Sequence, residues 1–278
     1  MSVYFYYGNL KDATITEGDV SCSAQYPITN INILNKNVYT ELDDNDSELS
    51  AVNHIIDIVK VDFTSATAVT SCAIDLDSLV IDLTASTYNI EEVDIKLYYS
   101  DDDATYTFFG LLKQYELLAT TFNETITDIF TVTNTSESHR YWKIALDIQV
   151  GTSDTLVWDI AGKINNLYIG DYLTLPCPNL RTFGYAHRTT INNSYNGSRS
   201  GYDNQGQRKI TNNVYTNLSQ TNFTNLETFD DETKGGALPV YYEDTDSTII
   251  FARVTNQLQQ NEVAYQLYTA SQNIETEL

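Results

Sequence analysis

Only three histidines, His54, His139 and His187, are available as general bases in this chain of 278 residues. None lies near a GxSxG-like segment, and no motif brings a serine or cysteine nucleophile to a base and an orienting carboxylate. His54 is in an apolar run and His139 adjoins a predicted strand, positions typical of structural histidines. There is no GxGxxG motif or P-loop for a phosphate. The sequence therefore predicts no catalytic residues.

Carboxylates are the most abundant ionisable side chains, with 38 Asp and Glu residues. A glycoside hydrolase needs two of them at a set separation across a sugar, so their abundance leaves that activity as a remote alternative. Two Asp-rich segments, 43–46 and 101–103, carry the oxygen ligands that calcium prefers. Neither has EF-hand spacing, and solvated turns are the favoured interpretation. No metal and no cofactor are predicted.

The charge balance narrows the choice of partners. Lys and Arg number 15 against 38 Asp and Glu, which gives a formal net charge of −23. Phosphate backbones and anionic bilayers repel such a surface, so nucleic acid and membranes are disfavoured. The start of the chain has no basic region followed by an apolar stretch, and no run approaches the ~18 apolar residues of a membrane helix. We expect synthesis in a reducing cytosol.

Alternation of apolar and polar residues dominates the elements that must position any site. From 141 to 150, Trp142 and every second residue after it are apolar, while Lys143 and Asp147 lie on the opposite face. Many short strands with polar turns between them predict an all-β fold with an N-terminal, jelly-roll-like β-sandwich. The Pro-Cys-Pro segment that begins at Pro176 interrupts ladder hydrogen bonding, so we place a domain boundary there, giving domains 1–176 and 177–278.

The second predicted domain is a smaller β-rich domain with one short helix. Residues 224–227 fit a capping box that would begin this helix, and Phe223, Leu226 and Phe229 are spaced to form one apolar stripe. Gly235 and Gly236 follow and would end it. Strands are expected after this helix, at 240–242, 248–255 and 263–271, so the helix should pack on a small sheet.

A basic, glycine-containing segment at 181–209 contrasts with the acidic remainder of the chain. Its five cations are opposed only by Asp203, and they are the candidate interface residues: Arg181, Arg188, Arg199, Arg208 and Lys209. Three interpretations remain open, namely a solvated loop, docking onto an acidic surface of a partner or neighbouring copy, and nucleic-acid contact. Docking would favour a homo-oligomer.

Aromatic residues raise the question of carbohydrate binding. Trp142 lies on an alternating apolar face and is expected in the core. Trp158 lies between a polar turn and Asp159, so we expect an exposed ring and name it as the candidate carbohydrate contact.

Two motifs of the first domain resemble the discoidin, or galactose-binding-like, β-sandwich family. Residues 26–30, Tyr-Pro-Ile-Thr-Asn, resemble the early Tyr-Pro-x-x-Asn segment of that family, and residues 140–144, Arg-Tyr-Trp-Lys-Ile, resemble its late Arg-Tyr-Trp-(Arg/Lys)-Ile strand. The paired terminal cysteines and the tryptophan expected soon after Asn30 are absent. The resemblance therefore implies a sandwich and assigns no sugar-binding residue.

The order of parts also resembles tail-associated virion proteins of tailed bacteriophages. The segment 164–170 is followed by the Arg/Gly-rich segment and a terminal β-domain that ends in Ile-Glu-Thr-Glu-Leu. The resemblance implies a non-enzymatic structural component of the virion, at the tail tip or baseplate or elsewhere on the tail, that contacts other virion proteins and its own copies. The alternative is an adhesion module for a host-surface saccharide.

Overall fold

The computed structural model describes residues 2–7, 10, 13–32, 38–43, 47–50, 53–150, 155–193, 199–255, 259–264 and 266–276, with backbone alone at 32, 47–50, 53, 184–193, 199–209 and 259–264. The chain divides into two compact units, Gly8–Tyr172 and Met1–Tyr7 together with Leu173–Leu278. We call them the sandwich unit and the terminal unit. That 1–176 and 177–278 are separate folding domains stays a prediction.

The elements of the described part are numbered in chain order. The strands are β1 (Ser2–Tyr7), β2 (Thr14–Glu17), β3 (Thr40–Leu42), β4 (Ser47–Ser50), β5 (Asn53–Ala85), β6 (Ile90–Ser100), β7 (Thr107–Ala119), β8 (Thr121–Val150), β9 (Thr155–Pro176), β10 (Leu180–Asn193), β11 (Arg199–Ser219), β12 (Val240–Glu243), β13 (Ile249–Val254), β14 (Gln259–Ala264) and β15 (Leu267–Thr276). A 3₁₀ turn spans Ile28–Asn32, and the helix α1 spans Gln220–Glu232. No helix among these elements has the length and apolarity needed to cross a membrane.

Two long strands, β5 and β8, build both layers of the sandwich unit. Residues 53–62 of β5 pair antiparallel with 141–149 of β8, and after a register shift between Asp62 and Thr67 the remainder of β5 pairs with the first part of β8. The first layer continues from β8 through β6 to β7. The second layer adds β9 beside the later part of β5. Each long strand therefore passes from one layer to the other near 62–67 of β5 and 139–141 of β8.

One apolar core lies between these layers. Trp142, Ile144 and Leu146 of β8 are fully buried, as the alternation predicts, and they share a single cluster with Ile81 of β5 and Ile160 of β9 from the second layer. Burying alternate side chains of two facing sheets is what stabilises a sandwich. The predicted all-β class and N-terminal sandwich are confirmed.

The terminal unit is a sheet with one helix packed on it. Its strand order is β10-β11-β15-β13-β12-β1, followed by the last residues of β9, with β14 beside β15. Phe223, Leu226 and Phe229 of α1 are buried, as the apolar stripe predicts. The helix begins earlier than the capping box indicates, because Ser219 is the N-cap and its side chain accepts a hydrogen bond from the Asn222 amide.

Candidate functional site

An open pocket of about 240 Å³ lies in the sandwich unit where β6 ends and β8 changes layer. Seven residues line it, from the end of β6, the following turn, the start of β7 and β8: Tyr99, Ser100, Asp101, Asp102, Thr105, Thr107 and His139. We call it the β6–β8 pocket. Aromatic, hydroxyl and carboxylate groups thus converge on one concave surface.

A rigid aspartate turn forms one wall of the β6–β8 pocket. Oδ1 of Asp102 accepts hydrogen bonds from the Ser100 hydroxyl at 2.9 Å and from the backbone amides of Ala104 and Thr105 at 2.9 and 2.8 Å. The amides of Thr105 and Ala104, with the Ser100 hydroxyl, lower the pKa of Asp102 to about 2. This turn ends β6 and keeps the Asp102 carboxylate ionised at any ordinary pH.

An aromatic stack forms the second wall. The His139 imidazole lies 4.0 Å from the Tyr99 ring, centroid to centroid, with 8° between their planes. Tyr99 also packs against the buried Trp142 ring, whose Nε1 donates a hydrogen bond to the His139 carbonyl at 3.1 Å. We call Tyr99 and His139 the aromatic stack. It is held in place by a fully buried core residue, so the pocket wall is preorganised.

Both imidazole nitrogens of His139 face carboxylates. Nδ1 lies 2.9 Å from Oδ1 of Asp101, and Nε2 lies 3.5 Å from Oε2 of Glu137. In a nucleophilic triad the second nitrogen would take a proton from a serine or cysteine. In the described structure Glu137 occupies that direction instead. The arrangement can orient and hydrogen-bond a ligand, and it does not match acyl-transfer chemistry.

A bidentate ion pair fixes the bend beside the pocket. Arg140 donates from Nε and Nη2 to the two carboxylate oxygens of Asp62, each at 2.7 Å. Asp62 also accepts a bond from the Thr64 amide at 2.7 Å, where β5 turns with a positive φ of 64°. Arg140 lowers the pKa of Asp62 through these hydrogen bonds. The first residue of the Arg-Tyr-Trp-Lys-Ile motif therefore joins β5 to β8 at their bend.

The sequence could not reveal that Tyr99 and His139 meet. They lie on different strands, and their contact depends on the register that places Tyr99 opposite Trp142 and Ser100 opposite Tyr141. His139 was expected to be structural and 101–103 a solvated turn. The Asp cluster at 101–103 follows a predicted strand, and this position is the signal that the sequence offers. The cluster forms a turn, and the turn lies at the rim of the pocket.

The prediction that Trp158 is exposed is wrong. Its side chain is 3% exposed and belongs to the sandwich core. Trp158 lies on β9 on the same face as the buried Leu156 and Ile160, and that alternation decides its orientation. A buried ring cannot offer its face to a sugar, so Trp158 is not a carbohydrate contact. Trp142 is in the core, as predicted.

The basic segment is described only in part. Arg181 lies on β10, and its side chain binds partners within the terminal unit. Its Nη1 lies 2.6 Å from Oδ1 of Asp244, and its Nε donates a hydrogen bond to Oδ1 of Asn213 at 3.1 Å. Four other candidate cations lie on β10 and β11, and their side chains, like that of His187, lie outside the described residues: Arg188, Arg199, Arg208 and Lys209. Their role as interface residues stays a prediction.

Two further interpretations concern acidic groups. Among the described residues, no group of three or more His, Cys, Asp or Glu is placed to hold a metal ion, and 44–46 lie outside them. For a glycosidase, the relevant carboxylate in the described part of the chain is Asp94, whose pKa burial raises to about 6. Its side chain is only 1% exposed and contacts Lys96, which lies between Asp94 and Asp147. Asp94 is therefore not positioned to reach a polysaccharide.

Comparison with known proteins finds a likeness in structure and none in sequence. No family model and no curated protein sequence matches the chain. A solved carbohydrate-binding module, CBM32-1 from a family 31 glycoside hydrolase of Clostridium perfringens, aligns over 60% of this chain and 99% of its own, with 12% identity and a TM-score of 0.35. A score this low does not assign function, so the functional argument depends on the residues of this chain.

Proposed function

We propose that the sandwich unit is a saccharide-binding module and that the β6–β8 pocket is its binding site. The observation that supports this proposal is the preorganised aromatic stack of Tyr99 and His139 beside the fixed carboxylates of Asp101 and Asp102. Saccharide binding is also the alternative function inferred from the sequence, but the proposed contact is now the aromatic stack and not Trp158.

The chemistry of the pocket suits a sugar. The apolar C–H face of a pyranose packs on a flat ring, while its hydroxyls donate hydrogen bonds to acceptors at the rim. Asp101 and Asp102 are acceptors of this kind, and hydrogen bonds to ionised groups are the stronger class. Because the turn and the aromatic stack are held by their own contacts, little ordering free energy is lost on binding.

A glycan array probed with the whole chain, followed by calorimetry on the best ligand, tests the proposal. We expect His139→Ala to weaken binding by roughly tenfold, the effect of losing an interaction of about 1.4 kcal/mol. Tyr88→Ala is a matched control, since Tyr88 is an exposed aromatic residue in the turn before β6, at the other end of that strand. Absence of any binding by the folded protein, or equal binding by His139→Ala, would overturn the proposal.

A second candidate function, subunit contacts in a virion assembly, has its own supporting observation. The strands that end the two sheets carry exposed large apolar side chains: Phe108, Leu111 and Leu118 on β7, and Leu180 and Phe183 on β10. Exposed apolar groups on sheet edges favour pairing with another chain. The motif order that resembles phage tail proteins supplies the suggestion of a tail or baseplate location.

Native mass spectrometry and reconstruction of purified particles test this second function. A fixed copy number in the particle would support it, and a monomer absent from virions would contradict it.

Charge reversal of Arg188 and Arg199 tests whether the basic segment contributes to assembly. If that segment docks onto acidic neighbours, the double variant assembles less well and with weaker salt dependence.

A further inference from the structure

The β6–β8 pocket is lined by acidic side chains and by no lysine or arginine. Two of its lining residues, Asp101 and Asp102, are exposed carboxylates. Glu137 adds a third carboxylate beside His139. The neighbouring cation, Arg140, has both carboxylate oxygens of Asp62 as partners and is thereby neutralised. A ligand in the pocket therefore meets a negative local field.

The Asp102 carboxylate is fixed by hydrogen bonds from its own turn. Oδ1 accepts all three bonds of the turn, from Ser100, Ala104 and Thr105. The three donors hold the group in its ionised form, so Asp102 is a fixed anionic acceptor among the residues that line the pocket.

We propose that the β6–β8 pocket selects saccharides that carry a protonated amino group, such as hexosamine units, over neutral or acidic sugars; this inference rests on the proposed saccharide-binding function. An ammonium group has three donors and no acceptor, which complements the Asp101 and Asp102 oxygens. The sugar ring packs on the aromatic stack. Uronic acids bring a like charge to the same carboxylates and to a chain of net charge −23, so they are rejected.

Calorimetry with three oligosaccharides of equal length tests the selection: glucosamine oligomers, their fully N-acetylated counterparts, and galacturonate oligomers. The buffer is mildly acidic, so that the amines are protonated, and contains a chelator, so that no divalent cation bridges a ligand to the carboxylates. We expect the glucosamine oligomers to bind roughly tenfold more tightly than the N-acetylated ones, and the galacturonates not to bind. The preference weakens as salt is raised.

Three substitutions separate specific recognition from general attraction to an acidic protein. Asp102→Asn keeps an acceptor for the turn but removes the carboxylate charge, and Asp101→Asn removes a charge without touching the turn. Both should bring the binding of the glucosamine oligomers to that of the N-acetylated ones. Glu116→Gln, an exposed carboxylate near the other end of β7, removes the same charge outside the pocket and should leave the preference unchanged.

The outcomes are distinct. Equal binding of the amino and N-acetylated oligomers overturns the inference and leaves saccharide binding intact. An equal loss in Glu116→Gln also overturns it, because the preference would then be nonspecific. Binding of none of the three oligomers, together with an empty glycan array, overturns the proposed function itself. Binding of glucosamine oligomers only when calcium replaces the chelator overturns the direct contact between the ammonium and the carboxylates.

Discussion

The imidazole of His139 lies parallel to the phenol ring of Tyr99, at 4.0 Å between centroids and 8° between planes. This contact joins β8 to β6 at the place where β8 passes from one layer of the sandwich to the other. One side of Tyr99 is supported by the buried Trp142, so the stack is part of the folded core and also part of a pocket wall.

Stacking and hydrogen bonding by His139 can be separated with a pair of substitutions. His139→Phe keeps a flat ring against Tyr99 but loses the contact with Asp101, whereas His139→Ala loses both. We expect the phenylalanine variant to bind saccharide with an affinity between those of the wild type and the alanine variant. Calorimetry on the best ligand from the array measures this order. Equal affinities for the two variants would show that the ring contributes no stacking.

Replacing Trp158 should affect stability rather than a binding surface. Trp158→Ala leaves a large cavity between β5 and β9, and the expected loss in the free energy of unfolding is about 3–5 kcal/mol. Urea unfolding monitored by circular dichroism measures it. Tyr88→Ala, at an exposed position, is expected to change stability by less than about 1 kcal/mol. A loss at Trp158 as small as that at Tyr88 would contradict the buried placement.

The β-class of the fold follows from local patterns, but the path of the long strands does not. Alternation over 141–150 predicts both the strand and its buried face correctly, because burial of Trp142 and Ile144 requires nothing beyond period two. The bend of β5 depends on Thr64 at positive φ and on the Arg140–Asp62 pair. These contacts join residues 78 positions apart, and no local pattern indicates them.

Local sequence patterns also predict only part of the candidate site. The Asp-rich turn at 101–103 is predicted from composition, since aspartates satisfy nearby backbone amides. Its approach to His139 depends on strand register, which a single sequence leaves undetermined. Trp158 was different, because Leu156 and Ile160 already placed it on a buried face. The alternation decides its placement, although its neighbour Asp159 is polar.

The Asp102 turn should make part of the stability depend on acidity. The pKa of Asp102 is about 2 in the folded protein and about 3.9 in an unfolded chain. A lowered pKa means that the folded state favours the carboxylate, so the contribution is present above about pH 4 and is lost as the pH falls towards 2. Asp102→Asn removes this dependence.

Urea midpoints for the wild type and Asp102→Asn, measured from neutral pH downwards, test this. The wild type should be more stable at neutral pH, and the difference should shrink through the window between about pH 4 and about pH 2. Glu116→Gln serves as the matched loss of one carboxylate outside the turn. A difference for Asp102→Asn that stays constant through that window would contradict the hydrogen-bonded turn.

The lysine of the Arg-Tyr-Trp-Lys-Ile motif forms an ion pair whose side chains are largely withdrawn from solvent. Nζ of Lys143 lies 2.6 Å from Oδ1 of Asp57, and the two side chains are only 11% and 10% exposed. The ammonium also lies 4.3 Å from the centre of the Tyr106 ring. Such a pair adds little net stability over an apolar pair of the same shape, but removal of one partner leaves a charge with poor solvation.

Lys143→Met should therefore cost about 3 kcal/mol in the free energy of unfolding, although Lys60 at 3.2 Å from Asp57 retains part of the neutralisation. Combining it with Asp57→Asn should cost less than the sum of the single substitutions, because the double variant has neither charge. A double-mutant cycle from urea unfolding measures this coupling. Additive costs would mean that the two groups do not interact, since coupling is the signature of a shared, desolvated contact.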